Sequence, residues 1–431
     1  MAKVTKTASS GRMTERRNLP PLTLHVPEPP FRPGDEADFS HIVVLPAGAA
    51  PRPAEDEKPV NMHELAFGLV RVLDDSGAAV GPWAPELSAD TKRLMLRHML
   101  MVRAFDDRMY RAQRQGKTSF YMKCTGEEAV AIPATMALDR DDMCFPSYRQ
   151  QGILIARDYP IIDMINQIYS NKGDPLLGRQ LPIMYSSRDY GFFSISGNLT
   201  TQYPQAVGFA MASAAKGDSR IAAVWCGEGS TAEGDFHAAM TFAAVYNAPV
   251  IMNIVNNQWA ISSFSGIAGG ERTTFAARAI GYGIAGLRVD GNDALAVYAA
   301  TAWAAHRART NQGPTLIEHF TYRSEGHSTS DDPSAYRAAG EKSAWPLGDP
   351  VERMKQHLVA LGDWDDERHT ALATALADEV KAAGKEAEKN GILGHGLHQS
   401  IDSMFEGVFE ELPWHLAEQR DQAVAEREAK S

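Results

Sequence analysis

Two short runs carry the chemistry of this chain. Gly227-Glu228-Gly229 closes an apolar stretch that begins at Ile221, and Asn256-Asn257 closes a second one over 249–255. A carboxylate between glycines, followed one element later by a carboxamide, is a donor pair suited to a hard cation. Magnesium takes six oxygens at roughly 2.0–2.1 Å, often shared among carboxylate, phosphate and water. Glu228 offers a carboxylate oxygen, Asn257 an amide oxygen and Trp259 a backbone carbonyl, so the pattern reads as a magnesium clamp for a diphosphate. The glycines let the backbone approach a phosphate and turn into a helix whose free N–H groups and dipole face the anion. The tripeptide alone is uninformative, because glycines flank acids in many plain strand-to-helix turns. The Asn pair at the end of the next strand gives it weight.

Such a clamp needs two adjacent strands ending at one edge. The continuous apolar run at 221–226 fits a strand buried on both faces, 249–255 reads as a second apolar strand, and further strands are predicted at 287–289 and 315–320. Ser230-Thr231-Ala232-Glu233 fits a capping box opening a helix that runs to about Tyr246, and another helix is predicted over 293–309. This alternation predicts an α/β fold, a central parallel sheet flanked by helices, with ligands beyond the carboxyl ends of the strands. Upstream, a helix over 90–115 shows Leu94, Leu96, Met99, Met101 and Phe105 on a broad face. Residues 161–168 and 205–215 read as helices, and 173–197 as a loop-rich region. Three parts are predicted: an extended Pro-rich arm over 1–60, the α/β domain over 61–350, and a helical region over 351–431. The arm is equally a flexible tail or a strap on another subunit, since Leu22, Leu24 and Val26 alternate.

Bulk properties remove several classes. The chain has 431 residues, 44% hydrophobic and 23% charged, with a net charge of −11. That composition is globular, and without a basic block it argues against nucleic acid or an anionic membrane as partner. Three cysteines, Cys124, Cys144 and Cys226, lack metal-ligand spacing and read as small buried residues in a reducing compartment. No apolar stretch approaches a membrane span, and the basic N-terminus has no apolar segment behind it. The cytoplasm is the expected location.

Gly-Asp/Glu-Gly, then 26 residues, then Asn-Asn resembles the thiamine-diphosphate fingerprint. From about Leu94 onward the chain resembles the alpha subunit of the decarboxylating component of 2-oxo acid dehydrogenase complexes, most nearly the branched-chain (2-oxoisovalerate dehydrogenase) type. The likeness rests on Ser119-Phe-Tyr-Met122, Gly126-Glu-Glu128, Tyr148-Arg149, Gly178-Arg-Gln-Leu-Pro182, Val289-Asp-Gly-Asn-Asp293 and His327-Ser-Thr-Ser-Asp-Asp332. Glu228, where many members have Asp, agrees with the branched-chain type. The resemblance implies a thiamine-diphosphate-binding fold with magnesium on Glu228, Asn257 and the Trp259 carbonyl. It implies Tyr148, Arg149 and His327 around the diphosphate, with Gly227 and Gly229 in the turn. The segment Ser196-Gly197-Asn198-Leu199 would meet the aminopyrimidine ring, and Ser196, Asn198, Thr201 and Gln202 would be the candidate potassium ligands. Read as residues alone, that segment is equally a polar turn capping the next helix. Some relatives carry an arginine two residues before the metal-binding asparagine; this chain has Val255, so one phosphate contact is missing or comes from elsewhere.

The polar loop over 323–337 reads by composition as a surface loop. The resemblance implies instead that it folds over the cofactor. His327 would then face the reaction centre as a catalytic residue, Ser328 would stand at the substrate mouth, and Asp331, Tyr336 and Arg337 would order the loop. His237 and His319 read as packing histidines. The family places the acid that activates the cofactor on a separate beta subunit, in an alpha2-beta2 heterotetramer serving a lipoyl-bearing acyltransferase core. Glu127 and Glu128 read as structural or interface residues, being far along the chain from the diphosphate motif. The rival readings are a pyruvate or acetoin dehydrogenase alpha subunit and, from another class, a non-catalytic magnesium–nucleotide or assembly module. The chain lacks both G-x-x-x-x-G-K-[ST] and a post-strand G-x-G-x-x-G, which counts against nucleotides.

Overall fold

The apolar runs become the middle of one sheet. In a computed structural model of the chain, residues 20–397 and 399–429 are described. The strands are β1 (Met143–Phe145), β2 (Ala222–Gly227), β3 (Val250–Asn256), β4 (Ala285–Asp290) and β5 (Thr315–Phe320). They lie in the order β1-β2-β3-β5-β4 and every pairing is parallel. Alternate side chains serve opposite faces, as the pleat requires. Ala223, Trp225, Ile251 and Ile317 join one core cluster, while Ala222, Val224, Cys226, Met252 and Leu316 join the other. The short β1 was not legible, since three residues give no period.

The longer helices cover both faces. Among them are α1 (Ala89–Arg114), α2 (Glu128–Met136), α3 (Ile161–Tyr169), α4 (Gln202–Ala215), α5 (Gly234–Val245), α6 (Ala294–Arg309), α7 (Pro350–Ala360) and α8 (Asp366–Glu388); a further long helix, Trp414–Glu428, has no buried residue. Ser88 caps α1 through the Thr91 N–H, and Asp293 caps α6 through those of Leu295 and Ala296. On α1, Leu96, Met99, Met101 and Phe105 are buried as expected, but Leu94 faces solvent. Helix α2 escaped sequence reading: it is buried almost throughout, so it has no apolar stripe, and Pro133 lies inside it. Helices α1, α2, α6, α7 and α8 share the first core, while α4 and α5 pack on the second.

The capping box is not formed. Gly229–Ala232 is a 3-10 turn, Glu233 is extended, and α5 begins at Gly234 with no side-chain cap. Tertiary contacts override the local pattern. The Thr231 hydroxyl donates back to the Glu228 carbonyl, and Arg278 Nη1 donates to the Thr231 carbonyl at 2.8 Å.

Register sets the site. Gly227 lies opposite Val255, and Asn256 opposite Phe320. Glu228, Asn257 and residues 321–323 therefore leave the sheet at one edge, the carboxyl edge. Behind it sits a small cluster of Leu69, Trp259, Phe320, Tyr322, Trp345 and Leu347, against which Phe39, Ile42 and Val44 pack. The described part of the arm thus lies partly on its own chain. Leu22, Leu24 and Val26 stay exposed.

Candidate functional site

Glu228 is the first residue past β2 and only 1% exposed. Its Oε2 accepts the Asn257 N–H at 3.3 Å, whereas its Oε1 is buried without a partner. Burial pushes the carboxyl up to about 7, against the backbone hydrogen bonds that pull it down. A buried carboxyl oxygen with no donor is costly unless something occupies it, and a hard cation beside Asn257 meets that need. Asn257 points its Oδ1 at the Trp259 N–H (3.3 Å) and its Nδ2 at Glu127 Oε1 (2.8 Å). The Trp259 carbonyl accepts from Arg323 Nη1 at 2.7 Å and keeps a second lone pair. Among the described residues no group of three or more His, Cys, Asp or Glu could hold a metal. A donor set of one carboxylate, one amide and one carbonyl suits magnesium rather than zinc.

The turn is built for close approach. A Cβ on Gly229 would lie 2.4 Å from Ala260 Cβ, so only glycine fits, while one on Gly227 would meet nothing within 4 Å. Gly227 therefore leaves open space where it lines the cavity. Gln258 (φ 75) and Ile261 (φ 57) are both left-handed, a cost concentrated beside the Trp259 carbonyl. Gln258 Nε2 offsets it by donating to the Asn256 and Thr321 carbonyls.

The cationic side comes from two distant segments. Arg149, three residues beyond Pro146 in the segment after β1, donates through Nη1 to the Lys123 carbonyl (2.7 Å) and through Nη2 to the His327 carbonyl (2.8 Å). Arg323, three residues past β5, is 1% exposed and also reaches the Ile261 carbonyl and the Tyr336 hydroxyl. Both guanidiniums face His327 Nδ1, at 3.1 and 3.3 Å. Burial, then Arg149 and Arg323, push His327 down to about 3. Asp331 Oδ2 holds the loop by accepting the His327 N–H (2.6 Å) and the Tyr336 hydroxyl (2.5 Å). The ring of Tyr148 meets His327 edge-on at 5.7 Å.

One cavity of about 360 Å³ is lined by Tyr148, Arg149, Leu199, Gly227, Glu228, Gly229, Asn257, Trp259, Arg323 and His327, with Ile261, Phe264 and Ile267 adding an apolar wall. Ser196, Gly197, Asn198, Thr201, Gln202 and Ser328 are not among its lining residues. Ser196 Oγ accepts the Asn198 N–H (3.1 Å), the Thr201 hydroxyl donates to the Asn198 carbonyl (3.1 Å), and Gln202 Nε2 donates inward to the Trp225 carbonyl (2.7 Å). Ser328 Oγ accepts the Ser330 N–H (3.1 Å). His319 is buried and paired with Asn253, and His237 is exposed beside Tyr282.

Two site residues escaped the sequence. Arg323 had a usable signal, since it follows the carboxyl end of a strand. Glu127 had none: it touches Asn257 across 130 residues. Distance along the chain was the wrong guide for Glu127, and both Glu127 and Glu128 are buried within this chain. Glu128 is structural, accepting from Arg103 Nε and the Gly126 N–H.

Comparison with known proteins gives two family matches: the dehydrogenase E1 component over residues 96–395, and the N-terminal region of the 2-oxoisovalerate dehydrogenase E1 alpha subunit over residues 20–60. The second extends the likeness into the arm, well before Leu94. The chain is 61% identical over 402 residues (93% of it, 98% of the relative) to the 2-oxoisovalerate dehydrogenase subunit alpha of Pseudomonas aeruginosa. It is 39% identical over 356 residues (82% of it, 79% of the relative) to the mitochondrial subunit of Mus musculus. With the mitochondrial alpha 2 subunit of Arabidopsis thaliana it shares 38% over 352 residues (81% of it, 73% of the relative).

Proposed function

We propose a function from one premise: the chain belongs to the dehydrogenase E1 component family, whose fold binds thiamine diphosphate. On that basis it is the alpha subunit of an enzyme that decarboxylates branched-chain 2-oxo acids and passes the acyl group to a lipoyl-bearing acyltransferase core. The substrate class is supported by the relatives' names and by the N-terminal match. The observation that carries the site is the unpartnered, buried Oε1 of Glu228, beside Asn257 in a cavity that two arginines also line.

Bound there, thiamine diphosphate supplies the nucleophilic carbon and the electron sink for loss of carbon dioxide. Glu228, Asn257 and the Trp259 carbonyl would hold magnesium against the diphosphate. Arg149 is permanently charged and forked, as phosphate requires; Arg323, whose donors are taken by Glu325, Trp259, Ile261, Tyr336 and His327, adds positive charge to the cavity and holds the turn and loop around it. His327 keeps Nδ1 towards two guanidiniums, which can only donate, so its proton sits on Nε2 and is its one donor for substrate. Leu199 lines the cavity and brings its neighbours Ser196 and Gly197 near the ring-binding side. Ser328, next to His327, would stand at the substrate mouth. A potassium ion would draw on the oxygens of the turn Ser196, Asn198 and Thr201; Gln202 fits less well, its amide being committed to Trp225.

Glu228, which lines this cavity, and the buried Glu127 near it are both engaged with Asn257. The acid that activates the cofactor is therefore assigned to a beta subunit, in an alpha2-beta2 assembly. Among the described residues no helix is long and apolar enough to cross a membrane, and the three cysteines are free and buried, in keeping with a reducing cytoplasm. The test is reconstitution. The isolated chain should be inactive; with its beta subunit, thiamine diphosphate and magnesium it should consume 2-oxoisovalerate faster than pyruvate. Turnover by the isolated chain would overturn the divided site, and preference for pyruvate would favour the rival substrate.

A further inference from the structure

Glu127 lies on neither motif strand, yet it holds one end of a motif side chain. Its Oε1 accepts from Asn257 Nδ2 at 2.8 Å and lies 3.7 Å from Arg149 Nε. It is 3% exposed, at the entrance to the buried helix α2. A carboxamide has two nearly isosteric ends, and only the oxygen can ligate a hard cation. Rotation by half a turn would place Nδ2 where the metal needs a donor atom. A carboxyl oxygen attracts the NH₂ end and repels the carbonyl end, so Glu127 turns Nδ2 to itself and Oδ1 away. On that far side Oδ1 meets the Trp259 N–H, next to the predicted carbonyl ligand.

We infer that Glu127 is a positioning residue for magnesium. It orients the Asn257 amide oxygen-outward, and by facing Arg149 it couples the metal ligand to the guanidinium expected on the diphosphate. The inference rests on the reading of Glu228 and Asn257 as the magnesium clamp. Glu127→Gln keeps the shape but presents both an NH₂ and an oxygen, so only the longer Trp259 N–H contact (3.3 Å) still favours one amide orientation at Asn257. It also removes negative charge beside Arg149, which should not harm anion binding.

The experiment uses the enzyme assembled with its beta subunit and follows tryptophan fluorescence, Trp259 being on the cavity wall. Thiamine diphosphate is titrated at varied Mg²⁺, and inorganic pyrophosphate is titrated without metal. Glu127→Gln should raise the Mg²⁺ needed for half-saturation about tenfold or more, the usual scale for a lost outer partner of a metal ligand. Metal-free pyrophosphate should bind as well as before or better. Equal weakening of both titrations, or Mg²⁺ half-saturation within about twofold of the parent, overturns the role. Glu228→Ala separates the two readings. If it abolishes the Mg²⁺ effect while Glu127→Gln does nothing, only the positioning role is lost; if neither matters, the clamp itself fails. A second variant guards against general damage. Asn257→Asp has no NH₂ end to orient and sets a carboxylate against Glu127, so adding Glu127→Gln should now improve Mg²⁺ binding. Additive losses would overturn the inference.

Discussion

Arg149 Nη2 sits 3.1 Å from His327 Nδ1 and at the same time donates to the His327 carbonyl at 2.8 Å. Arg323 Nη1 approaches the same ring nitrogen at 3.3 Å. Two permanent donors on Nδ1 fix the tautomer and oppose a second proton. With its pKa pushed down to about 3 by burial and these charges, His327 should stay neutral, protonated on Nε2, across pH 5–8. Nitrogen NMR of labelled histidine should show one acceptor-type Nδ1 that does not titrate there. Arg149→Met should move that titration upward by about one unit or more. A His327 signal that titrates near 6.5 in the parent would refute the arrangement.

Gly229 has no room for a side chain, because its Cβ would stand 2.4 Å from that of Ala260. Gly229→Ala should destabilise the protein by about 1–3 kcal/mol, the usual scale of overpacking, and displace the turn that carries Glu228. Adding Ala260→Gly should restore most of the thermal midpoint and of the cofactor affinity. Failure of the double variant to recover would show that the glycine serves something other than this contact.

The legible parts of this molecule were those with local signals. Strand β2 announced itself through an unbroken apolar run, β3 through a largely apolar one and β5 through Leu316, Ile317 and Phe320, because a central parallel strand is buried on both faces. Their common carboxyl edge then placed Glu228 beside Asn257. The Ser230–Glu233 pattern misled because Arg278 takes the Thr231 carbonyl and Glu233 is extended, so the helix restarts at Gly234. Helix α2 was silent for the opposite reason to a surface helix, being buried nearly all round. The link from Glu127 to Asn257 could not be seen, since a contact across 130 residues leaves no trace in either neighbourhood.

His319 gives an acid limb that does not involve the site. It is fully buried in β5, donates from Nε2 to Asn253 Oδ1 at 2.8 Å, and has no partner on Nδ1. Burial pushes its pKa from 6.5 down to about 3. As pH falls through 6.5 the unfolded chain takes up a proton that the folded chain refuses, so stability is lost progressively between 6.5 and 3. At pH 5 this single residue should cost about 2 kcal/mol relative to pH 8. His319→Gln retains a donor for Asn253 without a titrating ring, and should flatten stability over pH 5–7 as measured by denaturant midpoints. An unchanged slope would mean that the ring is not held neutral.

Phe39 connects the N-terminal arm to the back of the site. Its ring stands edge-on to Trp345 (5.2 Å) and Tyr322 (6.2 Å), and Trp345 stacks on Tyr322 at 5.3 Å. The Tyr322 hydroxyl and Trp259 Nε1 both donate to Glu341 Oε2, at 2.7 and 3.2 Å. An unbroken series of contacts therefore runs from the arm to Trp259, whose carbonyl is the proposed cation ligand. Each aromatic pair adds about 0.5–1.5 kcal/mol beyond the area it buries. Phe39 is only half-buried, so Phe39→Ala should cost about 2 kcal/mol, below the range for a fully buried ring. The effect should be felt at a distance: amide exchange over residues 257–264 should quicken, and thiamine diphosphate should bind several-fold more weakly in the assembled enzyme. Phe39→Leu, which keeps an apolar side chain of intermediate size without the edge-on geometry, should fall between the parent and Phe39→Ala. Normal exchange over 257–264 in a destabilised Phe39→Ala protein would show that the arm steadies the fold without bracing the Trp259 turn.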